Sequence, residues 1–245
     1  MGTLLELLYV ALFAVAMPLW DYLALWPAFH RQAQTDPARA RKRLWIQSIG
    51  YAWPMVAIGA AMWVANGRSW TSLGFSVPPG WRLWASIILL LLLAAYFAYA
   101  VAIVAQSPET RANLRQQYGT LTTLLPHTRA EIYWWGGVSL TAGFCEEFLF
   151  RGYFIGVFSP WLGWWGAAAL SVLAFASAHA YQGWKGAFRT GIVGALYTLV
   201  VAMGNSLWPA IALHALLDLG QGMIAWLVLR EGETSVDLVQ VGRGT

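Results

Sequence analysis

Charge is what this chain has least of. Only 11% of its 245 residues are Asp, Glu, Lys or Arg, against 59% hydrophobic residues, whereas a soluble domain is about one-quarter charged. That shortage excludes an ordinary soluble globular domain. Cysteine is nearly absent: Cys145 alone rules out an intrachain disulfide and a cysteine-built metal site. There is no HExxH spacing, no repeat with a period of 20–50 residues and no low-complexity tract. The N-terminus lacks a basic region and carries Glu6, so it reads as a retained helix rather than a cleaved signal peptide. A net charge of +4 does not indicate nucleic-acid binding, because the basic residues lie in the connections between apolar runs.

What is present is a series of those runs, at about 3–29, 44–66, 82–105, 131–157, 161–182, 186–204 and 207–229. A run such as 83–105, with no charge along its length, is long enough to cross a hydrocarbon core of about 30 Å. The expected fold is therefore all-α: one polytopic membrane bundle over 1–245 with about seven or eight transmembrane helices. Three N-terminal helices occupy 1–105, and a tail follows at 230–245. Twelve of the 15 basic residues fall on one side, including Arg31, Arg39, Arg41, Lys42 and Arg43. Only Arg68 and Arg82 fall on the other, and Arg151 lies within the membrane. The bias places the heavy side and the C-terminus in the cytoplasm and the N-terminus outside, in a bacterial-type plasma membrane. Tryptophans near segment ends, among them Trp26, Trp45, Trp135 and Trp164, read as an interfacial belt. The polar stretch 106–128 reads as a surface helix or a loop.

Against this background the ionisable groups at membrane depth stand out. Glu146, Glu147 and Arg151 lie in the fourth run, His179 in the fifth, and His214 and Asp218 in the seventh. Each costs roughly 2.5–3.5 kcal/mol at a helix centre, so such groups must face one another or a wet cavity. Glu147 and Arg151 are four apart and share a helix face, as do His214 and Asp218 and also Phe175 and His179. A glutamate shielded from bulk water is suited to taking a proton from a single water molecule. A neighbouring histidine can help orient that water, and a second histidine with an aspartate can stabilise an oxyanion. The set reads as water-activating amide hydrolysis in a conical cavity open to the cytoplasm. Gly143, Gly152 and Gly183 are expected where helices approach closely enough to bring the groups together.

The stretches "EEFLFR" (146–151), "FASAH" (175–179) and "HALLD" (214–218) resemble the EExxxR, FxxxH and HxxxN/D motifs of the CPBP family. That family takes in the CAAX prenyl endopeptidases and the bacteriocin-processing, or Abi, proteins. The motifs occur in family order within 130–229, and "LGF" at 73–75 resembles a short upstream motif. The resemblance implies an intramembrane endopeptidase acting on a membrane-associated protein or peptide. Glu146 would activate water with help from His179, His214 and Asp218 would stabilise the oxyanion, and Glu147 and Arg151 would support Glu146. The last family position is often Asn. An ionised Asp218 would repel an oxyanion, so it is expected either to be protonated or to orient His214.

Several alternatives compete with this reading. No cofactor is expected, but a zinc-dependent version of the same protease would use Glu146, His179 and His214 as ligands. A non-catalytic membrane binding or immunity protein would keep the fold without the chemistry. Two further alternatives are a structural ion-pair network and an ion-coupled transporter.

Overall fold

Prolines set the course of the first helix. In the computed structural model, which describes residues 2–230, helix α1 (Thr3–Ala33) contains two π-helical stretches, Leu12–Ala16 and Asp21–Leu25. Each is followed at once by a turn carrying a proline, Pro18 or Pro27. The widened turn accommodates a ring that has no N–H and would clash with the preceding carbonyl. The expected tail at 230–245, with Arg243, lies almost wholly outside the described residues.

Helix α2 (Pro37–Ala65) starts at Asp36, whose side chain accepts the Arg39 N–H at 3.0 Å. A short helix α3 (Trp70–Leu73), a long apolar helix α4 (Trp81–Gln106) and a polar helix α5 (Pro108–Tyr118) follow. Helix α6 (Arg129–Glu146) opens on a capping box formed by Thr128 and Glu131. It runs through a π-helical stretch, Glu147–Phe154, into α7 (Ile155–Ala178). Helices α8 (Gly183–Gly204) and α9 (Trp208–Leu229) complete the bundle. The fold is an all-helical polytopic membrane bundle.

Among the described residues, six helices are long and apolar enough to cross a membrane, and one of them, Arg129–Ala178, has 50 residues. That length is about 75 Å at 1.5 Å per residue, more than twice a bilayer core. The run is divided at Gly163, whose φ of 65° and ψ of 165° lie outside the helical region and suit a residue without a Cβ. Beyond it the chain folds back: the Ser171 hydroxyl donates to the Phe150 carbonyl at 2.7 Å, and the rings of Phe150 and Phe175 lie 5.2 Å apart. The result is seven passes, divided where the runs 131–157 and 161–182 divide.

Two ion pairs mark the ends of the bundle. Arg41 at the start of α2 meets Glu131 at the start of α6 at 2.7 Å, and Glu131 also accepts the backbone N–H groups of His127 and Thr128. At the other end of α2, Arg68 meets the buried Glu6 at 2.8 Å. The "LGF" loop clamps the start of α9. Its Gly74 carbonyl accepts the Leu207 N–H at 2.8 Å, and the Ser206 hydroxyl donates to the Ser76 carbonyl at 2.5 Å. The 106–128 stretch contains the capped helix α5, and its Leu114 and Tyr118, with Leu125, pack on Val104 and Leu227–Leu229. Lipid-facing residues such as Trp84, Leu91, Leu92 and Tyr99 stay exposed on α4.

The crossing of α6 and α9 decides where the site forms. A Cβ on Gly143 would lie 2.9 Å from the backbone nitrogen of Ala215 and 3.0 Å from the carbonyl oxygen of Ile211. Neither atom can rotate away, so the close approach requires glycine. Gly152 is similarly tight against the Leu73 carbonyl, whereas Gly183 has open space around it. Gly143→Ala is expected to force the helices apart beside His214. It should cost about 1–3 kcal/mol in unfolding measurements, as overpacking does, and reduce any peptidase activity in parallel. Wild-type melting and turnover in this variant would show that the contact does not hold the site.

Candidate active site

Glu147 is the centre of the polar cluster. Its side chain is completely buried at the first residue of the π-helical stretch, and all eight residues of that stretch are buried. Unlike the two π-stretches of α1, this one is not followed by a proline in the next turn. Such turns recur at functional sites, where they re-aim side chains. One carboxylate oxygen of Glu147, Oε1, accepts from Arg151 Nη1 at 3.1 Å and from His214 Nδ1 at 2.8 Å. The expected pairing of Glu147 and Arg151 on one helix face is present.

Arg151 reaches α8 as well. Its Nη2 donates to the Gly194 carbonyl at 2.9 Å, its Nε approaches Thr198 Oγ1 at 3.4 Å, and its guanidinium lies 4.1 Å over the Phe175 ring. It therefore ties α6, α7 and α8 together.

His214 is oriented from two directions. Beside an arginine-paired carboxylate that can only accept, its Nδ1 carries the proton and donates to Glu147. Its Nε2 then faces Glu146 Oε2 at 3.8 Å and Asp218 Oδ2 at 3.7 Å. Those two carboxylates are about 30% and 28% open at their side chains, so the reactive edge of the imidazole points to the accessible part of the cluster. The other imidazole, His179, caps α7. Its Nδ1 pairs with the Phe175 carbonyl at 2.8 Å, which leaves Nε2 with a free lone pair. Phe175 lies 4.7 Å from the His179 ring and 6.4 Å from the His214 ring.

Five of the six expected residues are thus directly connected: Arg151, Glu147 and His214 in a chain, with Glu146 and Asp218 both facing His214 Nε2. His179 joins through Phe175 and not through a direct ion pair. Among the described residues, no three His, Cys, Asp or Glu side chains lie grouped as they would around a metal ion. His214 and His179 each commit Nδ1, to Glu147 and to a backbone carbonyl, and each keeps Nε2 for another partner.

Residues 128–220 match the family model described as "Type II CAAX prenyl endopeptidase Rce1-like". Across this core the chain is similar to the CAAX protease family. No curated protein and no solved structure matches the chain. The matched span contains every CAAX-protease motif residue from Glu146 to Asp218 and begins at the capping residue Thr128. An integral membrane peptidase of this general class is therefore the frame for the chemistry.

Some contacts with the CAAX-protease site were not expected. Trp135 was assigned to the interfacial belt, but its indole N–H donates to the backbone carbonyl of Asp218 at 2.9 Å. Trp45 is likewise buried, with its ring 6.0 Å from that of Trp135. Both lie at a helix–helix contact, which segment-end position alone does not reveal. From α8, Tyr197 stacks on His214 with ring centroids 4.8 Å apart and planes at 20°. The positions Gly194, Tyr197 and Thr198 are spaced to share one helix face; this was the available signal. A cleft of about 450 Å³ opens between α1 and the turn after His179, lined by Tyr22, Leu23, Trp26, Pro27, Ala180, Tyr181 and Gly183. The Tyr181 ring is 5.9 Å from the His179 ring.

Proposed function

We propose that this CAAX-type protease hydrolyses a peptide bond near the C-terminus of a prenylated, membrane-associated protein. Glu146 takes a proton from water, and the resulting hydroxide attacks the scissile carbonyl carbon. His179, with its free Nε2, orients the water. In this scheme His214 is an imidazolium, held by Glu147 and facing two carboxylates, and it donates from Nε2 to the developing oxyanion. The C–N bond then breaks, and the proton passes from Glu146 to the leaving amine. Arg151 pairs with Glu147 and holds its carboxylate in place, so that His214 stays oriented.

The observation that carries this reading is the placement of His214, with Nδ1 anchored on a buried carboxylate and Nε2 turned toward Glu146 and Asp218. We assign the basic face of the bundle to the cytoplasm of a bacterial-type membrane, where α1 and the turn after His179 form the cleft.

The test uses purified full-length chain in detergent and a peptide bearing an S-farnesyl cysteine near its C-terminus. In ¹⁸O-labelled water, mass spectrometry should show one cut and one ¹⁸O in the new carboxylate. An intact peptide at high enzyme concentration would sink the proposal. The same peptide without the lipid is expected to be cut far more slowly.

A further inference from the structure

Tyr197 has a buried hydroxyl that the reaction scheme above leaves without a task. The residue is 5% exposed, and among the described residues its oxygen has no hydrogen-bond partner. Leaving such a group unpaired is costly, so a buried phenol of this kind calls for an explanation. Its surroundings supply one. The ring lies flat against His214, and Arg151 stands 5.8 Å from the ring centre. The imidazole it packs on contacts Glu147, Glu146 and Asp218, so the ring stands within the candidate site.

A count of donors sharpens the argument. A tetrahedral intermediate needs hydrogen-bond donors at its oxyanion. His214 has already committed Nδ1 to Glu147 and can offer only Nε2. The Arg151 nitrogens are directed to Glu147, Gly194 and Thr198. An ionised Asp218 accepts and does not donate. Tyr197 is a neutral O–H donor packed on the same imidazole.

We propose that the Tyr197 hydroxyl is a second oxyanion donor, which hydrogen-bonds the scissile carbonyl oxygen as negative charge develops on it. The proton stays on the phenol throughout, so no bond is made or broken at Tyr197. The ring has a second effect: its stack on His214 restricts the imidazole to the rotamer that aims Nε2 at the same oxygen. This role rests on the peptidase reading and names a further residue of that site.

Tyr197→Phe keeps the ring and removes only the hydroxyl. With the farnesylated peptide, kcat should fall about 10²-fold, the usual effect of losing one oxyanion donor, while KM and the melting temperature stay near those of the wild type. A peptidyl aldehyde, which mimics the tetrahedral state, should bind Tyr197→Phe about 10²-fold more weakly, whereas the uncut substrate binds equally well. A water bridging the hydroxyl to Glu147 Oε2, which is also unpartnered among the described residues, predicts the opposite pattern: lower melting and near-normal kcat. That pattern overturns the proposal, as does unchanged aldehyde affinity, and both leave the peptidase reading standing if wild type cuts the peptide. If wild type cuts nothing, the peptidase reading fails and the role of Tyr197 falls with it.

Discussion

Glu146→Gln is expected to abolish cleavage, lowering kcat by about 10³-fold or more, without loss of folded protein. The amide has the same shape as the carboxylate but cannot take a proton from water. The side chain is about 30% open and lies outside the Glu147–Arg151 pair, and His214 keeps Glu147 and Asp218 as counter-charges, so the fold should survive. Substrate affinity should survive, and the variant should retain uncut substrate that the wild type releases. Retained binding with lost cleavage also separates an enzyme from a non-catalytic binding or immunity protein, in which Glu146→Gln would change nothing. Glu146→Asp keeps the base but withdraws it by about one bond length, and misplacement on that scale can cost about 10²-fold. Should Glu146→Gln turn over normally, the base would have to be sought elsewhere. The alternative on geometry is neutral His214, whose Nε2 carries a lone pair when Nδ1 donates to Glu147.

The parts of this site that could be read in the sequence are those that depend on local spacing. Glu147 and Arg151, His214 and Asp218, and Phe175 and His179 each lie four apart, and each pair meets in the structure. The seven passes follow from apolar length alone. The division of labour between the two glutamates was harder to see. Glu147 was expected to support Glu146, but its carboxylate instead joins Arg151 to His214, 67 residues away. That link depends on α9 crossing α6 at Gly143 and on the π-stretch that begins at Glu147, which no local proline announces. The residues of α8 were missed for a related reason. Tyr197 in an apolar run looks like any membrane tyrosine until the fold sets it against His214. Trp135 fell in the same gap, because an indole N–H at a segment end can face lipid headgroups or a neighbouring helix.

Glu147→Ala should be the most destabilising single change in the cluster. Both members of the Glu147–Arg151 pair have fully buried side chains. Removing the carboxylate leaves a guanidinium at membrane depth with only the Gly194 carbonyl, a long contact to Thr198 and the Phe175 ring. An uncompensated buried charge of this kind costs about 3–5 kcal/mol, a large share of the stability of a typical fold. Reversible unfolding of the detergent-solubilised chain would measure it. Glu147→Gln, which keeps an oxygen acceptor, should cost less. Replacing both partners, as in Glu147→Leu with Arg151→Met, removes the stranded charge and should restore most of the lost stability, because apolar residues of similar volume often substitute for a buried pair without penalty. The double variant should still be inactive, since His214 Nδ1 has lost its acceptor and the imidazole its fixed tautomer. Recovery of folding without recovery of cleavage would separate the two tasks of Glu147, neutralising Arg151 and aiming His214. A double variant as active as the wild type would show that His214 needs no such anchor, and a Glu147→Ala protein as stable as the wild type would show that the buried pair does not hold the bundle together.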